Sequence, residues 1–231
     1  MIVSDKYKFI FVRVAKTGST SLVHWQTGPI RKYKVETNLH PEWLRLQGLK
    51  KSERNYGAIP SFVFENFDTP KEFRAHHGLN DWHHVPLFLG KKYLPPDKYN
   101  DYFKFGFVRN PFARMVSAYK YDQKFPTSPA SKLSFKEWVP MTYEKHGVLG
   151  KYGLQSVYLD GCDFVGRFEN LKDDYDYVLN HIDPELHKPL QKLNTTKGKK
   201  HYTEYYDDET IDVVSEFNKK DLEGFGYKFG D

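Results

Sequence analysis

The sequence predicts an α/β fold with a mainly parallel central sheet flanked by helices. Two observations carry that expectation. Apolar runs of strand length are repeatedly followed by helical patterns, and the two clearest strand-to-helix units share one plan: strand, cation, helix start. Segments with ordered patterning run nearly end to end, without internal repeats or low-complexity tracts, so residues 1–231 read as one domain large enough for a sizeable core.

The first unit opens with residues 8–14, apolar and β-branched enough for a buried strand. Lys16-Thr17-Gly18-Ser19-Thr20-Ser21 follows, and Leu22-Val23-His24-Trp25 reads as a short helix before the Gly28-Pro29 stop. The first N–H groups of a helix have no internal partner, and the helix dipole favours an anion there. Gly18 lets backbone approach an oxyanion, Lys16 adds a mobile charge, and the hydroxyls add donors, which together suit phosphate or sulfate. This is not a Walker A loop, where the lysine follows the second glycine; here it precedes the glycine. A capped turn with a solvated lysine is the competing reading of this segment.

In the second unit, residues 103–108 form a strand pattern, Asn110 is a good N-cap and Pro111 suits the first helical position. Phe112, Met115, Val116 and Tyr119 fall on one buried face. Asn110, Arg114 and Ser117 fall on another, beside Arg109 at the strand end. An arginine there can grip a phosphate through two parallel hydrogen bonds, and Ser117 can add a hydroxyl. The competing reading is an amphipathic helix with Arg109 in an ion pair.

Further along, residues 127–131 read as a mobile loop and a candidate cover for an acceptor. Residues 164–168 form another apolar run, with Arg167 directed to the same cleft or paired with Glu169 or Asp173. Residues 194–200 combine small polar donors with bases, and a long helix is expected over residues 207–220, acidic at its start and basic at its end. Four histidines lie between the two loops as His76-His77 and His83-His84. Zinc binding is a weak reading of them: adjacent strand histidines point to opposite faces, Cys162 is the sole cysteine, and no His-Glu-x-x-His pattern is present.

Taken together, the two loops resemble those of the sulfotransferases, most closely the carbohydrate-type family 2 that includes heparan sulfate 2-O- and chondroitin sulfotransferases and short bacterial members. Gln155-Ser156-Val157-Tyr158-Leu159, Asp163-Phe164-Val165-Gly166-Arg167-Phe168-Glu169-Asn170-Leu171, Leu193-Asn194-Thr195-Thr196 and Asp221-Leu222-Glu223-Gly224-Phe225-Gly226-Tyr227 resemble later landmarks of that family, in the same order. Ala15 departs from the proline that many relatives carry, and residues 31–67 resemble nothing recognisable. The resemblance implies a three-layer, P-loop-like fold. It also implies a sulfuryl donor, 3′-phosphoadenosine 5′-phosphosulfate (PAPS). The Lys16, Thr17, Gly18, Ser19, Thr20 and Ser21 loop would hold its 5′-phosphosulfate and Arg109 with Ser117 its 3′-phosphate, while the loop with Thr196 and Lys199 would cover the nucleotide. It further implies a histidine base before the second loop. His84 aligns best with that position, then His83, then His77.

The resulting expectation is sulfuryl transfer from PAPS to an acceptor hydroxyl, first of a glycan, then of a polyketide, lipid or tyrosine, with Lys16 catalytic beside His84 and no metal. An ATP-dependent kinase would need a Walker lysine and an acidic magnesium ligand; a non-catalytic nucleotide- or glycan-binding module would need no base. The net charge of +5 suits an anionic cofactor and is too mild to demand nucleic acid. No apolar run approaches the ~20 residues of a membrane span, and the N-terminus is expected to lead into the first strand with no signal peptide. The expected setting is a bacterial or viral cytoplasm, unless the chain is an excised Golgi catalytic domain.

Overall fold

The computed structural model describes residues 1–4, 7–19, 22, 76–77, 84–183 and 200–231. In chain order the regular elements are β1 (Ile2–Ser4), β2 (Phe9–Val12), α1 (Leu87–Tyr93), α2 (Pro96–Asp101), β3 (Phe103–Val108), α3 (Pro111–Asp122), α4 (Phe135–His146), α5 (Gln155–Leu159), β4 (Phe164–Arg167), α6 (Leu171–Ile182), α7 (Asp208–Phe217) and α8 (Lys219–Phe225).

The sheet is mixed α/β in character and mostly parallel, as expected. Its order is β1-β2-β3-β4; β2, β3 and β4 are parallel, and β1 adds an antiparallel edge that the patterning did not reveal. Alternation along each strand divides the core into two faces. Phe9 and Phe11 of β2, with Phe105 and Phe107 of β3, meet Tyr175, Val178 and Leu179 of α6. Ile10, Val12 and Val108 point the other way, against Leu87 and Leu89 of α1 and Tyr158 and Leu159 of α5. Phe11 and Phe105 stack across the β2–β3 pair with centroids 4.9 Å apart, a same-face neighbour contact of the kind that stabilises sheets. Both rings are almost fully buried, so truncating Phe105 to alanine would cost about 3–5 kcal/mol.

Gly106 shows how closely α5 lies on the sheet. A Cβ there would stand 2.2 Å from a Leu159 methyl and 2.9 Å from the Val12 carbonyl oxygen. A third apolar cluster joins α3, α4 and α7 through Phe112, Met115, Val116, Trp138 and Val214. The four α3 positions expected to share a buried face are indeed buried. Asn110 caps that helix by accepting from the N–H of Phe112 at 2.9 Å, with Pro111 at its first position.

Two expectations change. The helix expected over residues 207–220 is two helices, broken at the buried Asn218, whose side-chain amide donates to Val214 O and to the Tyr143 hydroxyl and so holds the chain at a bend. Residues 127–131, expected as a mobile loop, carry a 3-10 turn (Pro129–Ser131) in which Ser128 caps Ala130, itself fully buried.

Candidate active site

Parallel pairing sets β2 and β3 side by side, with Phe9 opposite Phe103 and Val12 opposite Gly106. Their carboxyl ends therefore release the two anion-loop candidates at one sheet edge, where ligands of open α/β sheets bind.

In the first loop, four consecutive carbonyls are each taken by a different side chain. His84 Nδ1 donates to Arg13 O at 2.9 Å, Thr17 Oγ1 to Val14 O at 3.0 Å, Arg114 Nε to Ala15 O at 2.9 Å, and Arg109 Nη1 to Lys16 O at 3.4 Å. In a trans peptide the N–H points opposite to the C=O. Tying back the carbonyls thus removes lone pairs that would repel an anion and turns the amide side of the chain the other way. Lys16 adopts φ 69°, the left-handed region that non-glycine residues seldom enter. Gly18 follows at φ 82°, and a Cβ there would stand 3.0 Å from the Phe168 ring, so both conformation and space ask for glycine. Leu22 N–H closes a turn onto Gly18 O at 3.3 Å. Thr17 and Ser19 are buried in this loop; Thr20 and Ser21 lie outside the described residues.

The Lys16 ammonium stands 4.2 Å above the Tyr121 ring at the end of α3. Burial, followed by the nearby Arg109 and Lys151 charges, lowers its pKa to about 8, against the opposing pull of Asp122.

In the second loop, Arg109 is held by its backbone. Its N–H donates to Gln155 Oε1 and its carbonyl accepts from Gln155 Nε2, both at 2.9 Å. The guanidinium packs over Phe168, 4.2 Å from the centroid. Burial lowers its pKa to about 10, Glu169 opposing, so it stays charged at neutral pH. No ion pair satisfies Arg109 among the described residues, and its buried Nε has no hydrogen-bond partner. Glu169 is engaged elsewhere: it accepts from the Asn110 N–H at 2.9 Å and the Tyr227 hydroxyl at 2.8 Å. A half-buried guanidinium whose buried Nε–H has no partner has capacity for an anion. Ser117, two turns along α3, is half-buried, and its hydroxyl makes no hydrogen bond among the described residues.

The histidine candidates separate. His84 lies at the start of α1, against the first loop. A carbonyl only accepts, so the Nδ1 bonded to Arg13 O carries a proton, which leaves Nε2 as the ring nitrogen able to act as a base. His77 hydrogen-bonds the Tyr93 hydroxyl at 2.8 Å, at the other end of α1, roughly 9 Å along the helix axis. His83, Thr196 and Lys199 lie outside the described residues.

A family model described as the sulfotransferase family, of the family 2 type, matches residues 1–228, essentially the whole chain. The chain belongs to the sulfotransferase family. An uncharacterized protein of Archaeoglobus fulgidus is 28% identical over 100 residues, covering 42% of this chain and 82% of that protein. No solved structure matches.

Sulfotransferase membership makes the chain a transferase, and the structure adds residues to the site that the motifs did not single out. Arg114 lies beside Arg109 as expected but is fully buried and structural: besides Ala15 O it holds Gly153 O at 2.8 Å. Arg167 donates to Phe225 O and lies over the ring of Tyr227, whose hydroxyl bonds Glu169. Asp221 of α8, fully buried, accepts from the N–H groups of Gln155 and Ser156 at 2.7 and 2.8 Å. It thereby caps α5 and fixes the glutamine that fixes Arg109, as an anion at a helix N-terminus should. The landmark segments around Gln155 and Asp221 signalled these residues without giving their roles. Among the described residues no group of three or more His, Cys, Asp or Glu side chains is placed to hold a metal ion, and no helix is long and apolar enough to cross a membrane.

Proposed function

We propose that this sulfotransferase moves a sulfuryl group from PAPS to a hydroxyl of a carbohydrate. One observation carries the reading: the Arg109 guanidinium, with a buried and unmet Nε–H, touches the carbonyl of Lys16 in the other loop. The two phosphate positions of PAPS hang on one ribose, so their sites have to be neighbours, and these two loops are. The donor set fits the group: a half-buried arginine with Ser117 for the 3′-phosphate, and Lys16, Thr17, Gly18, Ser19, Thr20 and Ser21 for the 5′-phosphosulfate. Thr196 and Lys199 would complete the nucleotide site.

PAPS supplies a sulfuryl group on a phosphate leaving group. His84 Nε2 takes the proton of the acceptor hydroxyl as its oxygen bonds to sulfur. Lys16 would neutralise the charge left on the leaving phosphate oxygen as the old sulfur–oxygen bond breaks. The first loop's amides and hydroxyls hold the remaining oxygens in place, much as a phosphoryl-transfer site does. Arg109 and Ser117 anchor the far end, so the sulfur stays in line with the incoming oxygen. Lysine and arginine supply the positive charge in this account.

Radiolabelled sulfate transfer from PAPS to a panel of neutral and acidic oligosaccharides tests the reading. Transfer to at least one glycan, lost in His84→Ala while adenosine 3′,5′-bisphosphate still binds, supports it. Transfer unaffected by His84→Ala, or activity with ATP in place of PAPS, contradicts it.

A further inference from the structure

Beyond the motif residues, Lys16 has a built surrounding. Its ammonium and that of Lys151 stand over one ring, 4.2 and 5.2 Å from the Tyr121 centroid. Lys151 is itself held, 2.8 Å from Asp122 Oδ1, and the Tyr152 hydroxyl donates to the same oxygen at 2.8 Å. Asp122 and Tyr121 are neighbours at the end of α3. The turn that carries Lys151 and the loop that carries Lys16 are tied to one guanidinium: Arg114 donates to Ala15 O and to Gly153 O. Two lysines gathered on one aromatic ring is an arrangement that repulsion opposes, so separate attachments have to maintain it.

We propose that Tyr121, with Lys151 clamped by Asp122, forms a positioning bracket that fixes where the Lys16 ammonium stands. The inference rests on the role given to Lys16 above. Tyr121 offers the ring face that locates the cation. Lys151 stands beside it as a second cation that limits how far Lys16 can move along that face. Asp122 holds Lys151 and supplies a counter-charge to both. The groups facing Lys16 are Arg109 from the loop after β3, Lys151 from the turn after α4, and Asp122 and Lys124 from the end of α3; of these only Asp122 favours the charged form. The bracket therefore governs the proton on Lys16 as well as its place. Removing the Lys151 charge takes away a repulsion and raises the Lys16 pKa. Removing the Asp122 charge takes away an attraction and lowers it.

These opposite signs give the test. Lysines are methylated with carbon-13 formaldehyde, the Lys16 resonance is identified by its loss in Lys16→Arg, and its titration is followed by NMR in the parent, Lys151→Met, Lys151→Arg and Asp122→Asn. The bracket predicts a midpoint that moves up in Lys151→Met, down in Asp122→Asn, and stays near the parent in Lys151→Arg. The alkaline limb of the sulfate-transfer rate should follow it. Tyr121→Leu should lower kcat roughly two- to fivefold with little change in donor affinity, and Tyr121→Phe should restore it. Identical midpoints in all four proteins, or shifts of the same sign in Lys151→Met and Asp122→Asn, would overturn the bracket. Midpoints that move as stated in a protein that transfers no sulfate would leave the bracket standing and remove the proposed function instead.

Discussion

After β2, four consecutive carbonyls are held by side chains; after β3, two consecutive amides are. Arg13, Val14, Ala15 and Lys16 each give a carbonyl to a side chain, whereas Arg109 and Asn110 each give an N–H to one. Among the described residues the first loop is thus left with its amide side, the Ser19 hydroxyl and one lysine. The second is left with a guanidinium and, on the helix behind it, a hydroxyl. The two anion-site candidates at one sheet edge therefore differ: one is defined by the shape of its backbone, the other by a side chain whose backbone is locked. The first should respond to changes of conformation and charge at Lys16, the second to changes at Arg109 and at the residues that lock it.

The largest effect is expected from Lys16. Lys16→Met should lower kcat by roughly 10²- to 10³-fold, in the range for losing one group that stabilises developing charge, while the bisphosphate product still binds. The same substitution should make the protein more stable. The Lys16 pKa is about 8 in the fold against 10.5 ordinarily, so between those values the unfolded chain binds more protons and the parent gains stability as pH rises. Below about pH 8 the full penalty of a buried cation is present. Lys16→Met should therefore exceed the parent by about 1 kcal/mol at pH 7, with the gap closing towards pH 10.5 in denaturant titrations.

Arg109→Met comes next and strikes the other end. It should weaken adenosine 3′,5′-bisphosphate by roughly a hundredfold, read by calorimetry, with Arg109→Lys recovering little because a point charge does not replace the guanidinium fork. Gln155→Leu sharpens the comparison, because it unlocks the second loop without touching its cation. Two buried backbone groups lose their partners, so unfolding should need about 2–4 kcal/mol less, and the first loop's lysine should titrate as before. Ser117→Ala is the smallest change: donor affinity should fall roughly fivefold, about 1 kcal/mol, and stability should stay where it is, since that hydroxyl holds nothing among the described residues.

What the sequence made legible was local. β2, β3 and the buried stripe of α3 follow from apolar runs, an Asn-Pro helix start and 3.6-residue spacing, and the strand-end cations follow from position alone. What it hid was long-range. Gln155 locks Arg109 from 46 residues away, Asn110 also donates to Lys228 O across 118 residues, and Asp221 sets Gln155. No spacing rule connects such partners, although the segments containing them stood out as resemblances. Arg114 shows the opposite failure. Helical geometry put it beside Arg109 correctly, but only packing shows that its guanidinium is fully buried against loop carbonyls and cannot reach a ligand. The α7–α8 bend went unseen because Asn218 breaks the helix through a bond to Tyr143, which lies on another element.

The account depends on one nucleotide being gripped by both loops at once. Calorimetry with adenosine 3′,5′-bisphosphate, adenosine 5′-monophosphate and adenosine 3′-monophosphate, on the parent and on Arg109→Met, tests this most directly. The bisphosphate should bind the parent at least a hundredfold more tightly than the 5′-monophosphate, and Arg109→Met should erase that advantage while leaving 5′-monophosphate binding nearly unchanged. Equal affinity of the parent for the bisphosphate and the 5′-monophosphate, or an advantage that survives in Arg109→Met, would contradict it.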